Sequence, residues 1–273
     1  MVVLCRVAGM SRQNYYQQRV VRQREWVDEG LVLALVRRER ARQPRLGGRK
    51  LRYLLAGDLA AAGVALGRDR FFGLLKREDM LIQRRVRTGA RTTNSGHGFG
   101  VYPNLAQDLA LTGPHQLLVS DITYVRTVEG FMFVSLLMDA FSRAIVGYDA
   151  SDTLEMEGAL RALAMALGQL PAGSVTMHHS DRGSQYCCGA YIQELRAGGL
   201  RISMTENNHC YENAQAERLN GILKQEYGLG QTFAHKGQVG VAVQEAVGLY
   251  NHHRPHTALG YRFPMQVHGG VAA

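Results

Sequence analysis

Three acidic residues, Asp121, Asp181 and Glu217, stand in sequence contexts that could bring their carboxylates together. Asp121 lies within the apolar run 117–125, and Asp181 ends a second strand-like run, 174–181. Glu217 lies in a helical stretch, and thirty-five residues separate it from Asp181. Two carboxylates at strand ends and a third on a helix are the oxygen ligands that a pair of divalent cations requires. The chemistry this pattern predicts is phosphoryl transfer between two ions about 3.5–4 Å apart.

Asp121 by itself has two equally good interpretations. A carboxylate in an apolar strand costs free energy unless it is compensated, so it is either a satisfied core aspartate or a metal ligand. Asp181 favours the second, because it ends a strand that should lie beside the first, at the edge where α/β sheets bind ligands. The two carboxylates would repel each other, and a divalent cation removes that repulsion. Oxygen ligands suit Mg²⁺ or Mn²⁺ and argue against a structural zinc ion.

Glu217 shares one face of its predicted helix with Asn213, Asn220 and Lys224. Lys224 lies two turns beyond Glu217 and could hold a DNA phosphate near the reaction centre, and we predict DNA contacts for the two asparagines as well. The alternative for Lys224 is a solvated surface lysine. The alternative for Asn213 is a residue that begins the helix, a position that also suits asparagine.

The C-terminal segment 250–259 ends the last predicted helix at Pro255. This leaves Arg254 and His256 near a loop, where we predict contacts with DNA phosphates or bases. For His179, just before Asp181, we predict packing or support of the metal ligands. A simple turn that terminates the helix remains the alternative for the segment.

Positive charge is concentrated in the first third of the chain. Residues 1–92 hold 21 Lys and Arg against 8 Asp and Glu, whereas residues 93–273 hold 11 against 15. Arginine dominates and suits phosphate geometry, so we predict that the first third binds nucleic acid; a solvated basic helical surface is the alternative. Four cysteines without a CxxC motif, and no run of eighteen apolar residues, predict a cytoplasmic protein with reduced thiols and no membrane contact.

Hydrophobic periodicity divides the chain into a helical part and a mixed part. In the first part we predict three helices with tight turns, at 26–42, 49–62 and 69–78. Such a unit resembles a helix-turn-helix, although many small helical bundles look the same. We predict DNA contacts in it for Arg49, Lys50, Arg68 and Arg70. The predicted domains are a DNA-binding region at 1–92, a linker at 93–115 and a catalytic core at 116–273.

The catalytic core is predicted to be an α/β domain. Its strands are predicted at 117–126, 131–138, 144–149, 174–180 and 200–204. Its helices are predicted at 154–168, 188–197, around Glu217 and at 236–251. The order β-β-β-α-β-α-β-α-α predicts a mixed sheet in which parallel strands extend three antiparallel ones, with helices on both faces.

Five ordered motifs resemble the second-reading-frame transposase of the IS-three family of bacterial insertion sequences, the group most similar to retroviral integrases. These motifs are Ser120–Tyr124, Asp139–Arg143 with Ile145–Gly147, His179–Tyr186, Glu212–Glu226 and Tyr250–Leu259. The gap of thirty-five residues between the second aspartate and the glutamate is the spacing typical of that family. Upstream, residues 44–51 resemble its helix-turn-helix region, and residues 92–105 resemble the join to the core. Leu118 and Glu212 depart from the family's usual Trp and Asp, but neither is a predicted metal ligand.

The resemblance implies a ribonuclease H-like catalytic core behind an all-helical helix-turn-helix region. It implies cleavage and joining of DNA at terminal inverted repeats, with two Mg²⁺ ions, or Mn²⁺ as a substitute, held by Asp121, Asp181 and Glu217. Lys224 would be a DNA contact beside them. The implied partners are double-stranded DNA of the element ends and the target, further copies of the chain, and a first-reading-frame protein with a helix-turn-helix and a leucine zipper.

Two other functions compete with a transposase. The chain could be a DNA-binding or regulatory relative without catalysis, which the presence of all three acids disfavours. It could also be a ribonuclease H-type nuclease that acts on hybrids, but the basic N-terminal helices and Lys224 favour duplex DNA.

Overall fold

A computed structural model of the chain describes residues 2–83, 98–206 and 213–270. The chain divides into two units after Gln83, and each is described by itself. The domain boundary predicted at residues 92–93 and the motif residue Glu212 lie outside the described residues. None of the helices in the described ranges has both the length and the apolar character that crossing a membrane requires.

The first unit is all-helical, as predicted. Its helices are α1 (Val2–Val7), α2 (Arg12–Arg42), α3 (Gly48–Leu54), α4 (Ala56–Ala61) and α5 (Arg68–Arg77). Helix α2 is longer than the predicted helix 26–42: it begins after Ser11, whose Oγ accepts the N–H of Asn14 at 3.1 Å. Hydrophobic periodicity did not predict the first half of α2, because apolar residues there, among them Val20, are exposed and do not form a buried face of the helix. The predicted helix 49–62 is two helices that meet at Leu55.

The core of the first unit forms where the second half of α2 packs against α3 and α5. Val32 and Val36 of α2 are fully buried, and so are Leu51 of α3 and Phe71 of α5. The first half of α2 takes no part in this cluster. Hydrophobic periodicity therefore predicted only the part of α2 that packs in the core.

The second unit is built on a five-stranded mixed sheet. Its strands are β1 (Leu117–Thr127), β2 (Gly130–Asp139), β3 (Ile145–Ser151), β4 (Met177–Ser180) and β5 (Arg201–Met204). The order is β3-β2-β1-β4-β5. Strand β2 pairs antiparallel with β1 and β3, whereas β4 pairs parallel with β1 and β5. This confirms the predicted mixed sheet, in which parallel strands extend three antiparallel ones, although β4 begins at Met177 rather than at residue 174.

Helices cover both faces of this sheet. They are α6 (Met156–Leu167), α7 (Ser184–Cys187), α8 (Gly189–Ala197), α9 (Ala214–Glu226), α10 (Gly237–His253) and α11 (Pro264–His268). Leu117 and Val119 of β1 pack in a cluster with α9 and α10, whereas Leu118 between them packs with α6 and α8 on the opposite face. The alternation of side chains along a strand therefore supplies two separate cores.

Two motif residues are explained by helix packing on β3. A Cβ at Gly147 would collide with the carbonyl group of Ala162 in α6, so only glycine permits this close approach. On the other side, Asn251 of α10 accepts the N–H of Ile145 and donates to the carbonyl of the same residue, both at 2.9 Å. These contacts hold α10 at the first residue of the edge strand.

The described part of the predicted linker lies along β5. The N–H of Met204 donates to the carbonyl of Pro103 at 3.3 Å, and the N–H of Leu105 donates to Ser203 Oγ at 2.9 Å. Residues 103–105 are therefore hydrogen-bonded to the edge strand β5 within the second unit.

Candidate active site

Asp121 lies in the middle of β1 with its carboxylate under helix α9. Its Oδ1 accepts the N–H of Ile122 at 2.9 Å, and its Oδ2 accepts the side-chain amide of Asn220 at 2.7 Å. Burial, together with the charges of Asp181 and Glu217, raises the pKa of Asp121 to about 7. The hydrogen bond from Ile122 and the charge of Lys224 oppose this rise.

Asp181 follows β4 directly. Strand β4 runs parallel to β1 in a register that pairs Leu117 with Met177 and Val119 with His179. Continuing that register brings Asp181 level with Asp121, in agreement with the electrostatic effect of one on the other. Asp181 Oδ1 accepts the N–H of Gly183 at 2.9 Å. A Cβ at Gly183 would lie only 3.0 Å from the same oxygen, which explains a glycine two residues after the acid.

Glu217 lies in the first turn of α9, and two asparagines fix this helix over β1. Asn213 begins the helix and donates its side-chain amide to the carbonyl of Ser120 at 3.0 Å. Asn220, one turn further on, donates to Asp121. Leu219 and Leu223 of the same helix are buried in the core. Glu217 is thus held between two polar contacts, close enough for its charge to act on Asp121.

Lys224 lies on the same side of α9 as Glu217, and its charge lowers the pKa of Asp121. Its Nζ lies 4.2 Å from the centroid of the Tyr124 ring, a cation–π distance. The rings of Phe131 and Tyr124 pack edge to face, with their centroids 5.4 Å apart. The sequence indicated Lys224 but not this aromatic support, because Tyr124 is one hundred residues away along the chain.

A buried polar network lies beside Asp121. His178 Nε2 is 2.9 Å from Ser120 Oγ and 3.0 Å from the hydroxyl of Tyr191. Burial lowers the pKa of His178 to about 3, so its imidazole is neutral at physiological pH. His179, predicted to support the metal ligands, is buried with Nδ1 2.9 Å from Ser203 Oγ.

The DNA contacts predicted from the sequence differ in their surroundings. Asn213 is 6% exposed and bonded to the β1 backbone, and Asn220 is bonded to Asp121, so both position other groups. Arg254 is 2% exposed and makes two hydrogen bonds to Glu226, at 2.7 and 2.9 Å. Its guanidinium is therefore buried in an ion pair, and this burial argues for a structural role in place of the predicted DNA contact. His256 is partly buried, with its ring 6.4 Å from that of Tyr250.

In the first unit, the predicted DNA contacts lie on the surface. Arg49 and Arg68 are exposed at the starts of α3 and α5, and Lys50 is partly buried beside Arg49. Arg70 is exposed and pairs with Glu25 at 3.1 Å. Both members of that pair are half exposed, so water screens it and it leaves the arginine available to a phosphate.

Asp121 lies beside two further acids, and its negative charge is poorly compensated by the protein. The raised pKa of Asp121 expresses this, since Lys224 and the Ile122 amide do not offset burial and the two acidic neighbours. A divalent cation would offset the repulsion, and carboxylate oxygens are the ligands that Mg²⁺ and Mn²⁺ prefer. The residues therefore fit the metal that the sequence predicts.

Comparison with known proteins places this site in a family. Residues 112–210 match one family model described as an integrase core domain, and residues 198–264 match another family model with the same description. The chain is 35% identical over 261 residues to an uncharacterized 31 kDa protein of insertion element IS600 from Shigella sonnei, covering 94% of each. It is 31% identical over 274 residues to transposase InsF for insertion sequence IS3A from Escherichia coli, covering 96% of this chain and 92% of the relative.

The chain belongs to the IS3 family of insertion-sequence transposases. The matches to IS3-family relatives span nearly its whole length, so they include the helical first unit as well as the sheet. Among solved structures, the fold is similar to that of the catalytic core domain of HTLV-2 integrase in complex with magnesium, and the matched region spans 57% of this chain and 98% of that one. Its identity is 16% and its TM-score 0.47, a similarity too remote to bear on activity.

Proposed function

We propose that this IS3-family protein cleaves DNA strands at the ends of its insertion sequence and joins them to target DNA. The observation that carries the proposal is the electrostatic state of Asp121, whose pKa is raised to about 7 by burial, Asp181 and Glu217. Three carboxylates that converge on one partly buried position are costly unless a cation joins them. Catalysis in such a site is phosphoryl transfer, the chemistry that the family relationship supports.

Asp121, Asp181 and Glu217 would hold two divalent ions, with Mg²⁺ as the expected metal and Mn²⁺ as a substitute. Bound there, the ions would supply Lewis-acid stabilisation of the attacking and leaving oxygens. The protein supplies the positions of the carboxylates. Asn220 orients Asp121 through its hydrogen bond of 2.7 Å. The N–H of Gly183 orients Asp181 in the same way.

Lys224 would bind a non-bridging phosphate oxygen of the DNA strand at the reaction centre. Its Nζ lies over the Tyr124 ring, which restricts a side chain that otherwise has four rotatable bonds. A positive charge held beside the acids would also favour the approach of a polyanion to a cluster of negative charge.

The first unit would bind the element ends. Its charge imbalance, its exposed Arg49 and Arg68, and the excess of arginine support this role. The family relationship further supports action as a homo-oligomer, a first-reading-frame partner protein and a cytoplasmic location, which are all parts of the proposal.

The test uses the whole chain, labelled duplex DNA of the element ends, and Mg²⁺ or Mn²⁺. We expect cleaved and joined products with the natural chain, and none with Asp121→Asn, Asp181→Asn or Glu217→Gln. DNA affinity should change by no more than about twofold in these variants, because phosphate contacts dominate binding. Asp152→Asn is the matched control, since Asp152 is an exposed acid of the same unit.

Two outcomes would contradict the proposal in different ways. A natural chain that binds element ends but yields no product with either metal would be a DNA-binding relative without catalysis. Near-normal turnover in any of the three acid variants would show that the metal ligands lie elsewhere.

A further inference from the structure

A second cluster of side chains that could bind a metal lies beside the start of β1 and the end of β2. His115 precedes β1, Asp139 ends β2 and His268 ends α11. One ligand atom from each residue can be chosen so that all three lie within 4.8 Å of one another. The rings of the two histidines meet edge to face, with centroids 4.4 Å apart. Asp139 belongs to a motif that the proposed reaction does not use. On β2, Leu136 pairs with Asp121, and Asp139 lies three residues beyond Leu136, which is about 10 Å along the strand.

Asp139 brings a buried negative charge to this cluster. Its side chain is fully buried, and Arg143 interacts with it electrostatically, but within the described ranges no lysine or arginine forms a salt bridge with it. Oδ1 accepts both the N–H and the hydroxyl of Ser142 at 2.7 Å, and Oδ2 accepts the N–H of His115 at 2.7 Å. Each carboxylate oxygen can accept two hydrogen bonds, so Oδ2 keeps one lone pair for a further partner.

Ser142 links the carboxylate to one of the imidazoles. Its hydroxyl donates to Asp139 Oδ1 at 2.7 Å, and its Oγ lies 3.0 Å from His268 Nδ1. His268 Nδ1 itself lies 4.0 Å from Asp139 Oδ1. Groups that hydrogen-bond to metal-ligating side chains typically orient them, and Ser142 is placed to do so for both residues.

His115 is held in a conformation that few residues adopt. Its φ is +65°, in the left-handed region, which costs about 1–2 kcal/mol for a residue other than glycine. Two contacts maintain it: its N–H donates to Asp139, and its carbonyl accepts the hydroxyl of Thr176 at 2.7 Å. No hydrogen bond involves its ring nitrogens among the residues that the structure describes. Strain of this kind persists where surrounding contacts over-determine the backbone, and it clusters at functional positions.

We propose that His115, Asp139 and His268 bind a divalent first-row transition ion, with Ser142 orienting the carboxylate and one imidazole. Two imidazoles and a carboxylate are ligands that suit Zn²⁺ and its neighbours, whereas the three acids of the active site suit Mg²⁺. Three protein ligands leave a coordination position for water. The ion would join the segment before β1, the end of β2 and the C-terminal helix α11, and so stabilise the second unit. This inference does not rest on the proposed function.

The experiment titrates the metal-stripped full chain with Zn²⁺ by calorimetry, and with Co²⁺ by visible absorption. The natural chain should bind one equivalent that both His115→Gln and His268→Gln lose. Ser142→Ala should bind it about 10–100-fold more weakly, the effect expected of a residue that orients ligands. Zn²⁺ should also raise the melting temperature of the natural chain but not of the histidine variants.

Two variants control for other zinc-binding groups. His235→Gln removes an exposed histidine that contacts Glu129 at 3.0 Å but, in the part of the chain that the structure describes, belongs to no cluster of three ligating side chains. This variant should still bind one equivalent of Zn²⁺. Asp121→Asn removes a candidate magnesium ligand and should keep it too. If Asp121→Asn still binds one equivalent of Zn²⁺ but no longer cleaves DNA, the zinc site is distinct from the active site.

The proposal is wrong if the natural chain takes up no equivalent of Zn²⁺ or Co²⁺, or if both histidine variants bind it with unchanged affinity. Should the variants fail to fold, carbethoxylation of the natural chain decides. Zn²⁺ should then protect His115 and His268, but not His235, from modification measured by mass spectrometry. Unchanged labelling of the first two would overturn the proposal.

Discussion

The ion pair between Arg254 and Glu226 should be one of the strongest single contributions to the stability of the second unit. Arg254 lies at the end of α10 and Glu226 at the end of α9, so the pair joins the helix of Glu217 to its neighbour. Their side chains are 3% and 19% exposed, with hydrogen bonds of 2.7 and 2.9 Å. Removing one partner of such a pair leaves a buried charge uncompensated, which costs about 3–5 kcal/mol.

We therefore expect Glu226→Gln and Arg254→Met each to lower the free energy of unfolding by about 3–5 kcal/mol. The double variant Glu226→Leu with Arg254→Met should recover most of that loss, because no buried charge remains. The matched control is Asp149→Asn. Asp149 pairs with Arg161 at 2.9 Å, but Arg161 is 57% exposed, so the loss should be about 0.2–1 kcal/mol.

The assay is urea unfolding followed by circular dichroism, with DNA affinity measured at several salt concentrations. If Arg254 is structural, the folded Arg254→Met variant should keep the salt dependence of DNA binding. A loss below about 1 kcal/mol in Glu226→Gln would refute the buried-pair interpretation. A reduced salt slope in Arg254→Met would restore the DNA contact that the sequence suggested.

Three further predictions concern single side chains. Tyr124→Leu should lower strand transfer about 5–30-fold with little change in stability, because it removes a cation–π contact of about 1–2 kcal/mol from Lys224. Burial holds the pKa of His178 near 3, well below its value in the unfolded chain, so protonation of His178 favours unfolding. The free energy of unfolding should therefore be at its full value above pH 6.5 and about 2–3 kcal/mol lower at pH 4.5. Chemical denaturation at each pH would measure this difference. Gly147→Ala should lower the free energy of unfolding by about 1–3 kcal/mol, because its Cβ meets the carbonyl of Ala162.

Each of these has a control. Tyr124→Phe keeps the ring and should restore strand transfer, so equal losses in the Phe and Leu variants would count against the cation–π contact. His178→Phe should flatten the dependence of stability on pH between 6.5 and 4.5, and an unchanged slope would assign it to other groups. Gly240→Ala, in a helix position with no atom within 4 Å, should be neutral or stabilising, which separates steric collision from the general effect of alanine.

Elements whose apolar residues are buried could be predicted from the sequence. The predicted strands at 117–126 and 131–138 match β1 and β2 to within one residue at either end, because a buried strand alternates side chains between two cores. The first half of α2 was missed because it buries almost nothing, and β4 is shorter than its apolar run. Residues 174–176 continue the pattern without joining the ladder.

At the candidate site, the sequence indicated residue types whereas the structure assigned their partners. Lys224 is near enough to Asp121 for its charge to act there, as its helical spacing from Glu217 suggests, and its DNA contact stays a prediction. Arg254 was expected at a DNA surface and lies instead in a buried ion pair, because nothing local indicates that Glu226 faces it. The acidic residues as metal ligands stay a prediction, supported by their mutual electrostatic effect.

What the sequence by itself determined was the class of fold, the family and the acids worth testing. Periodicity, the spacing of the motifs and the cost of a carboxylate in an apolar strand are all properties of short stretches of chain. Tertiary structure alone decided which polar groups meet. Asn220 and Asp121 are 99 residues apart in the chain, Asn251 and Ile145 are 106 apart, and His268 and Ser142 are 126 apart. Such pairs depend on the register of β1 against α9 and on the packing of α10 and α11, which the whole core sets at once.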